Sequence, residues 1–363
     1  MKITIIGGAR PNFIKIAPII SAIKKAMNAG KPVEYRLVHT GQHYDYKMSE
    51  TFFQQLGIPE PDCNLACGGG TQAEQTAAIM IAFEKELNVN PADLVLVVGD
   101  VTSTMACSIV AKKMNTKVAH VEAGIRSFDL SMPEEINRMV TDSLTDYFFT
   151  TSVVANDNLL KMGVPEQRVF FVGNVMIDTL NSNKSKFRKP SFYDEYGLTK
   201  EGYIVLTMHR PANVDEAGKL KLLLNEIITN ANKLPIVFPI HPRTAKIFTD
   251  LGIADPNLII TEPLGYLEFN YLVENSKAVI TDSGGITEET TVMGIPCITL
   301  RDNTERPETI TLGTNELIGT NPNAIKPALE KLFSGKWKKG SIPEKWDGNT
   351  AVRIIDILLN TTI

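Results

Sequence analysis

The sequence predicts an α/β protein of two doubly wound, Rossmann-like domains facing each other across a cleft. Three observations carry that expectation. Short apolar runs alternate with helix-period segments through most of the 363 residues, and they do so in two successive rounds. Nearly every apolar run ends in a polar or glycine-containing turn at its carboxyl end, the edge where open α/β sheets bind ligands. The length suits two domains of ordinary size, each able to bury its own core. The expected division is residues 1–172 with a C-terminal helix at 350–363 for the first domain, and residues 173–349 for the second.

The first round opens with a buried strand at 3–6 and a Gly7-Gly8-Ala9-Arg10-Pro11 turn. A helix follows at 12–27, with Phe13, Ile16, Ile19, Ile20 and Ile23 on its apolar face. The Gly-Gly pair is not a GxGxxG fingerprint, so it carries no dinucleotide site. Arg10 and, one turn later, Lys15 can both reach the carboxyl edge of the sheet; a solvated helix position is the alternative for Lys15. A strand at 35–39 ends in Thr40-Gly41-Gln42-His43, and helical segments at 48–56 and 73–87 flank Gly68-Gly69-Gly70. The run Leu94–Val98 ends in Gly99-Asp100, beside Thr102-Ser103-Thr104 at a helix start; Asp100 there is a candidate acid or base, or a helix cap.

A strand at 117–121 ends in Glu122-Ala123-Gly124-Ile125-Arg126, and Pro133-Glu134-Glu135 opens a helix reaching residue 144. Strands at 147–151 and 169–172 close this sheet, and a helix at 175–180 leads into a polar linker at 181–201. Asp100, Glu122 and Glu134 thus gather near Arg10, Lys15, Arg126 and Arg138. Carboxylates among cations at one sheet edge suit proton transfer beside an anionic substrate. They equally suit a structural ion-pair network, and spacing alone leaves both open.

The second round repeats the pattern. A strand at 203–207 ends in Met208-His209-Arg210, a helix occupies 220–231, and a strand at 236–240 ends in His241-Pro242-Arg243. A strand at 258–261, a helix at 267–275 and a strand at 278–280 lead to Asp282-Ser283-Gly284-Gly285 and a helix at 286–293. Backbone N–H groups at that helix start are open to phosphate, with no side chain in the approach. Gly294-Ile295-Pro296 stops the helix, a strand covers 297–300, and a polar turn runs from Arg301 to Glu308. Helices at 324–333 and 351–359 close the chain.

Composition excludes several classes. Net charge is −4, with 43% hydrophobic and 21% charged residues, so no general electrostatic pull toward nucleic acid or anionic membrane is expected. Cys63 and Cys67 lack a second Cys/His pair. His209 and His241 lack a completing carboxylate motif, so phosphate contact or proton work is expected of them in place of metal. Four reduced cysteines, no basic leader ahead of the first strand and no long apolar run point to a cytoplasmic protein with no membrane anchor.

Taken in order, these turns resemble one family, the non-hydrolysing UDP-N-acetylglucosamine 2-epimerases. The match covers Gly8-Ala9-Arg10-Pro11 with Lys15, Gly41-Gln42-His43, Gly99-Asp100, His120-Val121-Glu122-Ala123-Gly124 and Pro133-Glu134-Glu135 with Asn137-Arg138. It continues through Gly173-Asn174, His209-Arg210, Thr281-Asp282-Ser283-Gly284-Gly285 with Glu288-Glu289, and Arg301-Asp302 to Glu305-Arg306-Pro307-Glu308. The resemblance implies a GT-B-like fold, a UDP-sugar substrate, no metal or nicotinamide cofactor, and a homodimer. It implies inversion at C2 of UDP-GlcNAc by elimination of UDP to a 2-acetamidoglucal and re-addition.

By the same resemblance Asp100, Glu122, Glu134 and His209 are the catalytic candidates. Arg10, His209, Ser283 and Gly285, with Gly284 between, would hold the diphosphate. Glu289 would take the ribose hydroxyls, Phe269 would lie at the uracil, and Lys15 and Arg138 would orient the sugar. Gln42, His43, Arg210 and His241 are candidates for regulatory contacts. Gly69-Gly70 stand where allosterically activated members carry an Arg-Gln pair, and Asp45 where they carry Gln, so that activator site is not expected in its usual form. The segment Met132-Pro133-Glu134 is two residues shorter than in many GlcNAc enzymes and resembles epimerases of UDP-2,3-diacetamido-glucuronate, whereas the 304–308 turn matches the GlcNAc group.

Overall fold

A computed structural model describes residues 1–41, 53, 55–214, 216–240, 248, 252–253 and 255–361. The chain divides into two compact units, Met1–Ser182 with Glu344–Ile363, and Asn183–Pro343.

The first unit comprises β1 (Lys2–Gly7), α1 (Arg10–Asn28), β2 (Glu34–His39), β3 (Cys63–Asn64), α2 (Gln72–Val89), β4 (Leu94–Val98) and α3 (Thr102–Lys113). It continues with β5 (Lys117–Val121), α4 (Pro133–Leu144), β6 (Tyr147–Thr150), α5 (Val153–Lys161), β7 (Val169–Phe171) and α6 (Val175–Asn183). The strands form one parallel sheet in the order β3-β2-β1-β4-β5-β6-β7. Central β4 (LVLVV) is buried at all five positions, as a parallel strand covered on both faces must be. Strand order reverses between β1 and β4, which makes the turns after them, at Gly8 and at Gly99-Asp100, the natural ligand crevice of this sheet.

The unit boundary lies ten residues beyond the one expected from sequence, and its physical reason is α6. Val175, Ile177 and Leu180 of that helix are buried. Asp178 accepts the main-chain amides of Thr350 and Ala351 at 3.1 and 2.7 Å, holding the start of the C-terminal helix Thr350–Asn360. Trp346, also buried, donates its indole N–H to the carbonyl of Thr151 at 3.0 Å. The returning segment, from Glu344 onward, therefore enters the first unit six residues earlier than 350.

The second unit comprises β8 (Ile204–Thr207), α7 (Ala217–Asn230), β9 (Ile236–Pro239), β10 (Leu258–Thr261), α8 (Tyr266–Asn275) and β11 (Ala278–Thr281). After these come α9 (Gly284–Met293), β12 (Cys297–Thr299), β13 (Asn315–Leu317) and α10 (Ile325–Phe333). Its six parallel strands run β10-β9-β8-β11-β12-β13, with the reversal between β8 and β11. Alternate residues feed two cores: Ile204, Leu206, Phe238, Ile280 and Ile298 pack on one face, Val205, Val237, Val279 and Cys297 on the other. The polar stretch read as a linker instead contributes Tyr193 and Leu198 to the second of these cores.

Candidate active site

In the first unit, the switch-point turns bring four predicted residues into two ion pairs. Lys15, on the second turn of α1, places its Nζ 2.6 Å from Glu122 Oε2; their side chains are 13% and 3% exposed. Glu122 has φ +74°, a left-handed conformation that costs a non-glycine residue on the order of 1 kcal/mol. Arg138, buried on α4, donates Nη2 to Asp100 Oδ2 at 2.7 Å, and Asn137 donates to the Asp100 carbonyl at 2.9 Å. Asp100 keeps 32% of its side chain exposed. Glu134 is exposed in the first turn of α4, one residue from buried Glu135.

In the second unit the β8 and β11 turns are joined by one carboxylate. Buried Asp282 accepts the amides of His209 (3.1 Å) and Arg210 (3.0 Å) and an Asn213 side-chain N–H (3.1 Å), and lies 2.9 Å from His209 Nδ1. Burial pushes the Asp282 carboxyl up, but His209 and these amides outweigh it and hold the group below the ordinary range. The His209 ring is half exposed. α9 starts at Gly284 without a side-chain cap, leaving its first N–H groups to another acceptor.

A Cβ at Gly284 would lie 3.0 Å from Glu305 Oε1 and 3.5 Å from Arg301 Nη1, so the Arg301–Glu305 pair (2.6 Å) crowds this helix start. Arg301 is 3% exposed and its Nε has no partner among the described residues. Glu289 accepts the Tyr266 hydroxyl at 2.8 Å, and burial pushes its carboxyl up to about 7. Behind it, Glu288 pairs with Arg306 at 2.5 Å.

A sequence model of the UDP-N-acetylglucosamine 2-epimerase family matches residues 25–359. The chain belongs to that family. It is 41% identical over 372 residues to the UDP-N-acetylglucosamine 2-epimerase of Methanocaldococcus jannaschii, covering 99% of each chain. It is also 41% identical over 331 residues, 90% of each chain, to the UDP-2,3-diacetamido-2,3-dideoxy-D-glucuronate 2-epimerase of Pseudomonas aeruginosa. The crystal structure of the Methanocaldococcus enzyme in complex with UDP-GlcNAc and UDP matches with a TM-score of 0.88 at 39% identity, covering 99% of this chain and all of that one. The two Rossmann-like units are therefore those of a GT-B-like epimerase fold.

Within this epimerase family member, Asp100, Glu122, Lys15 and Arg138 come together on the first unit, and His209, Arg210, Ser283, Gly284 and Gly285 on the second. Glu289 lies in the interior with Tyr266, and Phe269 is partly buried against the second core. Gln42, His43 and His241 lie outside the described residues, as does most of the helix expected at 48–56; for Arg10 only its place at the start of α1 is described. No group of three or more metal-capable side chains occurs among the described residues, and no helix there is long and apolar enough to cross a membrane.

Sequence reasoning singled out Glu134 and passed over Glu135. Glu135 accepts the amides of Ser127 and Phe128 (2.9 and 3.1 Å) and pairs with Arg138 at 2.7 Å. Burial pushes the Glu135 carboxyl up, but these donors hold it below the ordinary range. The signal that could have found it is helical phase: Glu135 shares the buried face of α4 with Arg138 and Asp142, three and seven positions on.

Proposed function

We propose that this chain inverts C2 of a UDP-N-acetylhexosamine, interconverting UDP-GlcNAc and UDP-ManNAc by elimination and re-addition. A base removes the C2 proton, the C1–O bond to UDP breaks with its electron pair leaving on the diphosphate, and a C1=C2 double bond forms. UDP oxygen then returns to C1 while C2 is protonated from the opposite face. The C2 hydrogen is not acidic, so the reaction needs a carboxylate held in place and strong stabilisation of the leaving diphosphate.

The observation that carries this reading is that each unit builds one of these at its switch point. The first has the paired Asp100 and Glu122 carboxylates. The second has the uncapped start of α9 beside His209, Arg210 and the buried guanidinium of Arg301. On this reading Asp100, Glu122 and Glu134 are the acid/base groups, and Lys15 and Arg138 orient both carboxylates and sugar. Arg10, His209, Ser283 and Gly285 take the diphosphate, Glu289 the ribose, and Phe269 the uracil. No metal or nicotinamide is needed. We further propose a cytoplasmic homodimer, which light scattering of the purified protein tests.

NMR of UDP-GlcNAc with the protein in D2O tests the chemistry. Deuterium at C2 of both epimers is expected; epimerisation without C2 exchange would rule the mechanism out. A UDP-sugar glycosyltransferase or a non-catalytic sensor would leave UDP-GlcNAc unepimerised. A second reading, epimerisation of a UDP-diacetamido-uronate, is favoured by the Pseudomonas relative and the short 132–134 segment. Comparing kcat/KM for the two substrates decides between them.

A further inference from the structure

A fully buried cluster lies behind the first-unit carboxylates. His120, on β5, is 0% exposed, and its Nδ1 lies 2.7 Å from Asp142 Oδ1 on α4 while its Nε2 lies 2.8 Å from the carbonyl oxygen of Gly99. The other Asp142 oxygen accepts the Gly124 amide at 3.1 Å and pairs with Arg126 at 2.6 Å. One carboxylate thus grips two turns. Through His120 it reaches the turn carrying Asp100, and directly it reaches the turn carrying Glu122.

The hydrogen-bond pattern also fixes the ring's orientation. A carbonyl oxygen can only accept, and so can an ionised carboxylate. Burial would push Asp142 up, yet His120 and Arg126 beside it hold it below the ordinary carboxylate range. Both ring nitrogens of His120 thus face oxygen acceptors, one on α4 and one on the turn after β4.

Both turns need such support. Gly99 and Glu122 have φ +69° and +74°, and Gly124 has φ +76° with its Cα so close to α5 that a Cβ would lie 2.3 Å from the Ala155 carbonyl oxygen. The Gly99 amide is tied to the Val121 carbonyl at 3.0 Å, so β4 and β5 already run in register up to these turns. The His120 bridge extends that register one peptide further, to the residue before Asp100.

We propose that His120 and Asp142 are positioning residues for the epimerase, a buried imidazole–carboxylate bridge that sets the spacing of the Asp100 and Glu122 carboxylates. This rests on the proposed C2 proton chemistry. Neither residue touches the sugar; both act through the turns they hold. A misplacement of about 1 Å at a reacting group can cost on the order of 100-fold in rate, so the effect belongs in kcat and not in UDP affinity.

The test compares the full-length parent with His120→Asn, His120→Gln and Asp142→Asn, each corrected for folded fraction. Asn can reach Asp142 but not Gly99; Gln can reach Gly99. Loss of kcat by roughly 10- to 100-fold in His120→Asn and Asp142→Asn is expected, with partial recovery in His120→Gln and UDP Kd within about twofold of the parent. Nitrogen-15 NMR of the parent should show both His120 ring nitrogens hydrogen-bonded, the signal identified by its loss in His120→Gln. The proposal is overturned if kcat per folded molecule is unchanged, if kcat and UDP affinity fall together with melting temperature, or if either ring nitrogen is free of a hydrogen bond. An inactive parent would instead defeat the epimerase reading, while the NMR result would still judge the bridge.

Discussion

Asp282 holds His209 twice, accepting its main-chain amide at 3.1 Å and lying 2.9 Å from its imidazole Nδ1. The turn after β8 is therefore shaped by a residue on the turn after β11, 73 positions later. Asp282→Asn keeps the shape but gives up the charge-assisted bonds. Loss of about 2–3 kcal/mol of stability is expected, with UDP affinity at least tenfold weaker by calorimetry. Because the folded carboxyl sits below its ordinary range, its contribution is present above the unfolded value near 4 and lost as pH falls through the lowered folded value. The acid limb of a stability–pH profile should flatten in the variant.

The Lys15–Glu122 pair separates stability from catalysis. Lys15→Met removes the cation 2.6 Å from the buried Glu122 carboxylate and should cost about 3 kcal/mol in a denaturant titration. Adding Glu122→Leu should restore most of that stability, while C2 exchange in D2O stays absent. Recovery of activity in the double variant would remove Glu122 from the chemistry.

Glu289 should make nucleotide binding pH-dependent. Its carboxyl is pushed up to about 7 by burial, so the folded form holds a proton that the unfolded form releases near 4.5. The stability this gives is complete below about 4.5 and is lost as pH rises toward 7. If ribose hydroxyls donate to the ionised form, UDP affinity is full above pH 7 and falls about tenfold per pH unit below it. Glu289→Gln should abolish that slope. A parallel slope in parent and variant would assign the pH effect to another group.

Gly124→Ala probes the turn directly. The substitution meets the Ala155 carbonyl at 2.3 Å in a left-handed conformation, and we expect a cost of about 3 kcal/mol or more by thermal melting. Alanine at Gly30, which also has positive φ but meets no atom within 4 Å, should cost less.

Strands and their terminal turns were legible because a buried parallel strand leaves a local mark, an unbroken apolar run that stops at a polar residue. Leu94–Val98 and Lys117–Val121 appear where those runs lie. Short edge strands such as Cys63–Asn64 and Asn315–Leu317 left no such mark. Partners far apart in sequence left none either. Nothing near Asp178 announces Thr350, so α6 read as the way out of the first domain when it is part of its interior. Glu134 and Glu135 differ only by 100° of helical phase, and His120 sits inside an apolar run as one more strand residue, so Glu135 and His120, both held by buried partners, left little mark in the sequence.

The C-terminal helix also sets an order of assembly. Residues 344–361 complete a unit whose other strands and helices are all made before residue 183, while the second unit is contiguous and is finished first. During synthesis the first unit waits for residues 344–361, made after the whole second unit, with the Asp178 carboxylate and the Trp346 slot unfilled in the interval. We expect the released chain truncated after residue 343 to yield a protease-resistant second unit and a first unit that is still cleaved.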